Sequence, residues 1–178
     1  MYLISAALLV FITFIIIYQV VSYTVFSEVN RHLNYEINEY SENIIFKNNK
    51  IAIVNSEIWE QAEHTELTVN PVFVQLYDNK GNAIFKSENL NRSNLKLVLN
   101  NEKKSTQYKL NTFTIKQMQM PVIRNKNVVG YLLIAVSLDD AKMVLENLKS
   151  VLWIAYLVVL AALFLMAKFI AGSSIKPI

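Results

Sequence analysis

Two stretches without a charged side chain govern what this chain can fold into. From Met1 to Ser27, and again from Ser150 to Ala167, there is no Asp, Glu, Lys or Arg. Each stretch reaches the roughly 18 to 20 residues that cross a hydrocarbon layer of about 30 Å, so two membrane helices are expected, over residues 1–26 and 149–171. The first run is longer than the roughly 7 to 15 residues of a secretion-signal core, and Ser22-Tyr23-Thr24 matches a small-x-small cleavage site poorly. It reads as an uncleaved anchor. Tyr18 and Tyr23 near the end of the first helix, with Trp153 and Tyr156 near the start of the second, place amphipathic rings where they favour the headgroup layer.

The net charge of +3 would fit a nucleic-acid partner if the positive charge were gathered in one place. It is not. Between Glu28 and Glu146 there are 14 basic and 14 acidic residues, so the middle segment is neutral and no nucleic acid is expected. Lys168 and Lys176 follow the second apolar run with no acid beside them, which suits a cytoplasmic exit. The expectation is a two-pass protein of the cell (inner) membrane, with residues 27–148 extracytoplasmic and both termini cytoplasmic. The chain has no cysteine, so no disulfide staples that segment. Asn91-Arg92-Ser93 has the form of a glycosylation acceptor, a tripeptide that arises often by chance.

Past the first membrane helix, Leu33, Ile37, Tyr40, Ile44, Ile51, Val54 and Ile58 follow heptad spacing, with Lys47 in the skipped position. No glycine or proline interrupts before Pro71. One helix over 27–66 is expected, on the order of 60 Å long at 1.5 Å per residue. Its seam needs a second copy of the chain or a sheet to cover it, and the narrow spacing favours a second copy for the half nearer the membrane. Glu28 to Glu66 carries eight acids against three basic residues, and Asp78 to Glu146 six acids against eleven. The two halves attract if they pack together.

"NPVFVQLYDNKGNAIFKS" changes the period to two, with Asp78-Asn79-Lys80-Gly81 as turn chemistry between strands. Leu90 to Glu102 reads as a short helix or an irregular piece. Further strands are expected over Gln107–Leu110, Thr112–Ile123 and Val128–Ser137, the last two joined by a turn at 124–127. Gly130 inside an almost wholly apolar strand marks a bulge or close packing. Ser137-Leu138-Asp139-Asp140 has the form of a capping box, opening an exit helix over 138–148 that runs on into the second membrane helix. The fold class expected is α+β: a sheet of about five antiparallel strands over 72–137 with the long helix on one face, flanked by two transmembrane helices.

Chemistry is sparse. With no cysteine, two histidines and three glycines, the common nucleophile and phosphate-loop signatures are missing, and no catalytic residue is expected. In "EIWEQAEHTE", helical spacing puts Glu57, Glu60 and His64 on one face with Glu63 beside them, a set able to hold a divalent cation. Such a cluster is more often a solvated acidic face, or a patch that responds to pH through His64. His32 reads as a solvated or packed residue.

"VFVQLYDNKGNAIFKS" together with "MPVIRNKNVVGYLLIAVSLDDAKMVLENLK" resembles the extracytoplasmic PAS-like sensor domain of bacterial sensor histidine kinases. "SSIKPI" is similar to the opening of the HAMP linker that follows their second membrane helix, over 172–178. Proline is favoured at the first position of a helix, so the resemblance makes Lys176, Pro177 and Ile178 the start of a signalling linker. Family members often carry arginine where this chain has Lys176, which keeps the charge. The resemblance implies a homodimer that responds to an unidentified extracytoplasmic ligand. It also implies a kinase core beyond residue 178 that uses ATP and passes phosphate to a response regulator, with no cofactor in the present segment. A chemoreceptor or membrane cyclase shares the same layout. A two-helix accessory protein that displays a partner-binding domain is the alternative from another class.

Overall fold

Both uncharged stretches are helical in the computed structural model, which describes residues 2–47, 50–54, 71–99 and 103–173. Helix α1 is Tyr2–Glu42 and helix α2 is Asp139–Ser173. Each contains an 18-residue window of mean hydropathy 2.5, and none of either window is buried within the protein. A soluble protein hides an apolar helix in its core, whereas Ile4, Leu9 and Phe169 here each leave more than half their surface bare. These helices are long and apolar enough to cross a membrane twice. Inside the first, the Thr13 and Thr24 hydroxyls donate to the carbonyls of Leu9 and Val20, 2.9 Å in each case. That gives both polar groups a partner within their own helix.

The chain divides into a helical unit, Met1–Phe26 with Ala141–Ile178, and a lobe, Ser27–Asp140. Within the helical unit the Tyr156 ring lies 5.7 Å from Phe11 and 6.3 Å from Phe14, centroid to centroid, with Trp153 edge-on at 6.3 Å.

The lobe is built on five strands: β3 (Val72–Asp78), β4 (Ala83–Lys86), β5 (Lys104–Leu110), β6 (Phe113–Arg124) and β7 (Asn127–Ser137). They form one antiparallel sheet in the order β4-β3-β7-β6-β5. The α+β class is therefore as expected. Both faces of the central strands are covered, which is why "VVGYLLIAVS" shows no polar alternation. Leu132, Ile134 and Val136 of β7 meet Val72, Val74, Leu76, Met118 and Val122 under α1, while Tyr131, Leu133 and Ala135 meet Phe73, Tyr77 and Ile115 on the other face.

The helix expected to reach residue 66 ends at Glu42. Asn43 closes it, donating from its backbone to Tyr40 O at 3.2 Å and from its side chain to Glu39 O at 2.8 Å. Ile44–Lys47 (β1) and Lys50–Ile53 (β2) then pair as an antiparallel hairpin. The sequence explains the switch: Ile44, Ile45, Ile51 and Ile53 are β-branched and Asn48-Asn49 is turn chemistry. A step of seven would put two residues on opposite faces of a single strand, but the pairing of Phe46 with Ile51 returns Ile51 to the face of Ile44 and Phe46, so a hairpin can carry the same spacing. Ile44, Phe46, Ile51 and Ile53 pack against the core beneath α1. Residues 55–66 of the expected helix lie outside the described residues.

The seam has a partner in its own chain. Leu33, Ile37 and Tyr40 are at most 1% exposed against the sheet, so a second copy is not what covers them. Glu57, Glu60, Glu63 and Glu66 of the acidic half lie outside the described residues; among the described residues α1 also meets the rest of the lobe through lysines and amides. Lys103, just before β5, and Lys116 of β6 donate to the side-chain oxygens of Asn34 and Asn30 on α1, which are amides and not carboxylates.

Turn chemistry sits where it is needed. Asn125 and Lys126 both have positive φ, 49° and 66°, as a two-residue hairpin between β6 and β7 requires. Gly81, at φ 86°, closes the β3–β4 turn. There the Asp78 carboxylate accepts from the backbone N–H of Lys80 and Asn82 and from the Asn82 side chain, each at 2.8 Å. The Asn82 side-chain bond, ahead of the two backbone donors, holds this carboxyl below the usual carboxylate range. Asp78→Ala is expected to cost about 1 kcal/mol, a modest sum because the turn is open to water. A group whose folded pKa is depressed stabilises above its unfolded value of about 3.9, and that contribution fades as pH falls through the lower folded value. Acid titration of stability should therefore be flatter in the variant; parallel acid curves for the two proteins would refute this role.

The capping box is realised in altered form. Ser137 Oγ accepts from the N–H of Asp139, at 3.1 Å, one residue earlier than the box predicts. The Asp139 carboxylate accepts from the Thr114 backbone N–H, at 3.3 Å. With Leu138 N–H donating to Thr114 O at 2.7 Å, the start of α2 is fastened to β6.

Candidate functional site

Glu57, Glu60 and His64 lie outside the described residues, as do Lys176, Pro177 and Ile178, so the structure neither assembles nor separates either set. Among the described residues no group of three or more His, Cys, Asp or Glu side chains is placed to hold a metal ion. His32, on α1 with its side chain 43% exposed, has its Nε2 3.2 Å from Glu36 Oε1.

The concentration of buried polar chemistry lies elsewhere, on the face of the sheet opposite α1. Strand alternation puts Gln75 on this face of β3, with Gln117 and Gln119 on this face of β6. Register places Gln75 and Gln119 on either side of Leu133. All three are at most 2% exposed, and a buried amide without a partner would cost several kcal/mol on the order of its desolvation. Each finds its partners in the segment that follows the short 3₁₀ turn Glu88–Leu90.

That segment, residues 91–99, crosses the face as an irregular strap. Gln75 Oε1 accepts from Leu95 N–H at 2.8 Å, and Gln75 Nε2 donates to Asn94 Oδ1 at 3.0 Å. Gln117 and Gln119 do the same thing two residues apart. The Gln117 amide accepts from Lys96 N–H at 3.0 Å and donates to Lys96 O at 2.8 Å. The Gln119 amide accepts from Val98 N–H at 3.0 Å and donates to Val98 O. A primary amide thus copies the N–H and C=O pair that a neighbouring strand would present. Leu95 is the strap's buried anchor, packed with Leu90, Phe73, Tyr77 and Tyr131.

Two tyrosines complete the face. Tyr77 OH donates to Leu95 O at 3.3 Å. Tyr108 OH donates to Gln117 Oε1 and accepts from Lys96 N–H at 3.1 Å, while Lys96 Nζ stands 4.3 Å from the Tyr108 ring centroid. Burial raises both phenols above their usual range, so they stay protonated donors at any physiological pH.

Beside the strap, the end of β3 is finished by side chains. Ser87 Oγ accepts from Val74 N–H at 3.0 Å and donates to Asn89 Oδ1 at 2.8 Å, and Asn89 Nδ2 donates to Val72 O at 2.9 Å.

No known protein family, curated protein or solved structure matches this chain. What it does must be argued from the arrangement itself. The glutamine face was not singled out in the sequence, although a signal was present. "FVQLY" sets one glutamine among apolar residues and "KQMQMP" sets two at alternate positions of one strand, and inward-facing amides in such strands require partners.

Proposed function

We propose that the chain is the sensing and transmembrane-signalling region of a two-component sensor histidine kinase. One observation carries the reading: both ends of the lobe lead directly into helices fit to cross a membrane, α1 unbroken from Tyr2 to Glu42 and α2 from Asp139 to Ser173. A five-stranded antiparallel sheet with a helix on one face supports a PAS-like identity for the lobe. In this reading the lobe is extracytoplasmic and meets the cue, the protein acts as a homodimer in the bilayer, and both termini are cytoplasmic. ATP and the response regulator belong to a kinase core beyond residue 178, reached through a HAMP linker that begins at Lys176, Pro177 and Ile178. A cue acts only through its differential affinity for two arrangements of the lobe. The fastening of α2 to Thr114 gives such a difference a route into the helix.

Inserting a flexible glycine linker at Ser150 is expected to uncouple output while the lobe still folds. The measurement is ATP-dependent autophosphorylation of the full-length protein in nanodiscs, across those pH, metal and metabolite conditions that shift the melting of the lobe. Regulation that survives the insertion intact would sink the proposal.

A further inference from the structure

The strap is held in a way that separates main chain from side chain. At Lys96 and Val98 the amides of Gln117 and Gln119 read backbone N–H and C=O. The side chains of Lys96 and Val98 are exposed, as is Leu99. Gln117 and Gln119 are two residues apart on one strand face, a spacing of about 6.6 Å, which matches the i, i+2 repeat of any extended peptide. The fully buried side chain of the strap is apolar and sits one position before the first amide read, where Leu95 packs with Tyr77 and Tyr131 and Leu97 packs partly buried beside that cluster. Besides these apolar contacts, the strap's side chains meet the face at Asn94, which accepts from Gln75 Nε2, and at Lys96, whose Nζ stands over the Tyr108 ring.

We propose that this glutamine face is a binding site for an extended peptide with an apolar anchor residue, occupied by the chain's own strap until a peptide takes its place. The ligand class follows from the donor and acceptor pattern. Two carboxamides in register satisfy the N–H and C=O of two alternate residues and leave a carboxylate or phosphate, which can only accept, facing the amide oxygens without a donor. Recognition through main-chain pairs plus one side-chain pocket is also how sheets take up added strands. The strap competes as a tethered segment at an effective concentration on the order of millimolar, so the intact protein binds an added peptide weakly. The sensor reading gains a ligand class from this, and the binding itself does not depend on any output.

The test uses the full chain in nanodiscs and a fluorescent, end-capped peptide copying residues 94–99. Lys96→Pro with Val98→Pro removes the two N–H donors from exposed positions and opens the strap. Peptide affinity by anisotropy should rise at least tenfold in that variant. Adding Gln117→Met and Gln119→Met should abolish the gain. No gain in a variant whose circular dichroism shows an intact sheet overturns the proposal, as does a gain that survives the methionine substitutions. Should the proline variant fail to fold, hydrogen exchange on the unaltered chain decides. Exchange at Lys96 and Val98 at least a hundredfold faster than in β3 and β7 shows that the strap leaves on its own, whereas protection equal to the central strands shows that it does not and overturns the exchange. Failure of the peptide arm leaves the autophosphorylation test untouched, so the two readings fall separately.

Discussion

Ile37→Ala is expected to remove about 2–5 kcal/mol from the stability of the lobe, where domains of this kind hold about 5–15 kcal/mol in all. Ile37 is fully buried on α1 between Leu33 and Tyr40, facing Val74, Leu76, Leu132 and Ile134 across the sheet. The loss combines the transfer free energy of the deleted carbons with the cavity they leave, because strands paired on both sides cannot close in to fill it. Asn38→Ala, one residue along on the exposed side of the same helix, should change stability by less than about 0.5 kcal/mol. Pulse proteolysis of the full chain in a urea series reads both. With a urea dependence of about 1–3 kcal/mol per molar, the Ile37 variant should unfold at least about 0.7 M earlier and the Asn38 variant at nearly the parent midpoint. Equal midpoints would mean that α1 does not dock on the sheet as described.

The same residues show where the sequence was legible. Leu33, Ile37 and Tyr40 were found by their spacing, yet spacing cannot say what covers a stripe, and a sheet from the same chain does so here. Past Glu42 the heptad pattern misled, because the hairpin pairing of Phe46 with Ile51 sets Ile44 and Ile51 on one face just as a seven-residue helical step would. The β-branched run and Asn48-Asn49 were the better guide. Strands β3, β6 and β7 were legible because aromatic and β-branched residues lie between clear turn signals, and the turn at 124–127 fell where expected. The glutamine face was hidden for a physical reason. When both faces of a strand are buried, polarity no longer marks inside from outside, and the partners of Gln117 and Gln119 lie 21 residues away in an irregular segment that has no period to read.

Gly130→Ala sets two opposing effects against each other. The expectation on general grounds is a gain, since Gly130 does not have positive φ and replacing such a glycine by alanine stabilises by about 0.4–1 kcal/mol through the unfolded chain. At this position an added Cβ would stand 2.3 Å from the carbonyl oxygen of Tyr77 and 2.5 Å from Ile51 Cδ1. The carbonyl belongs to β3, paired with β7 over seven residues, so relief requires two central strands to part. Val129, the extra residue of a bulge opposite Val122 and Ile123, is next in the chain, and the bend it imposes helps bring β7 close to Tyr77. Overpacking of this kind costs about 1–3 kcal/mol, which outweighs the entropic gain. The sign should be destabilising, read as an earlier urea midpoint and faster exchange along β3. Ile51→Ala separates the two obstacles: a side-chain clash would vanish in that background and a backbone clash would remain. The geometry makes Tyr77 O the nearer barrier, so Gly130→Ala should still destabilise when Ile51 is already alanine; complete rescue would place the constraint in the docking of the β1–β2 hairpin instead.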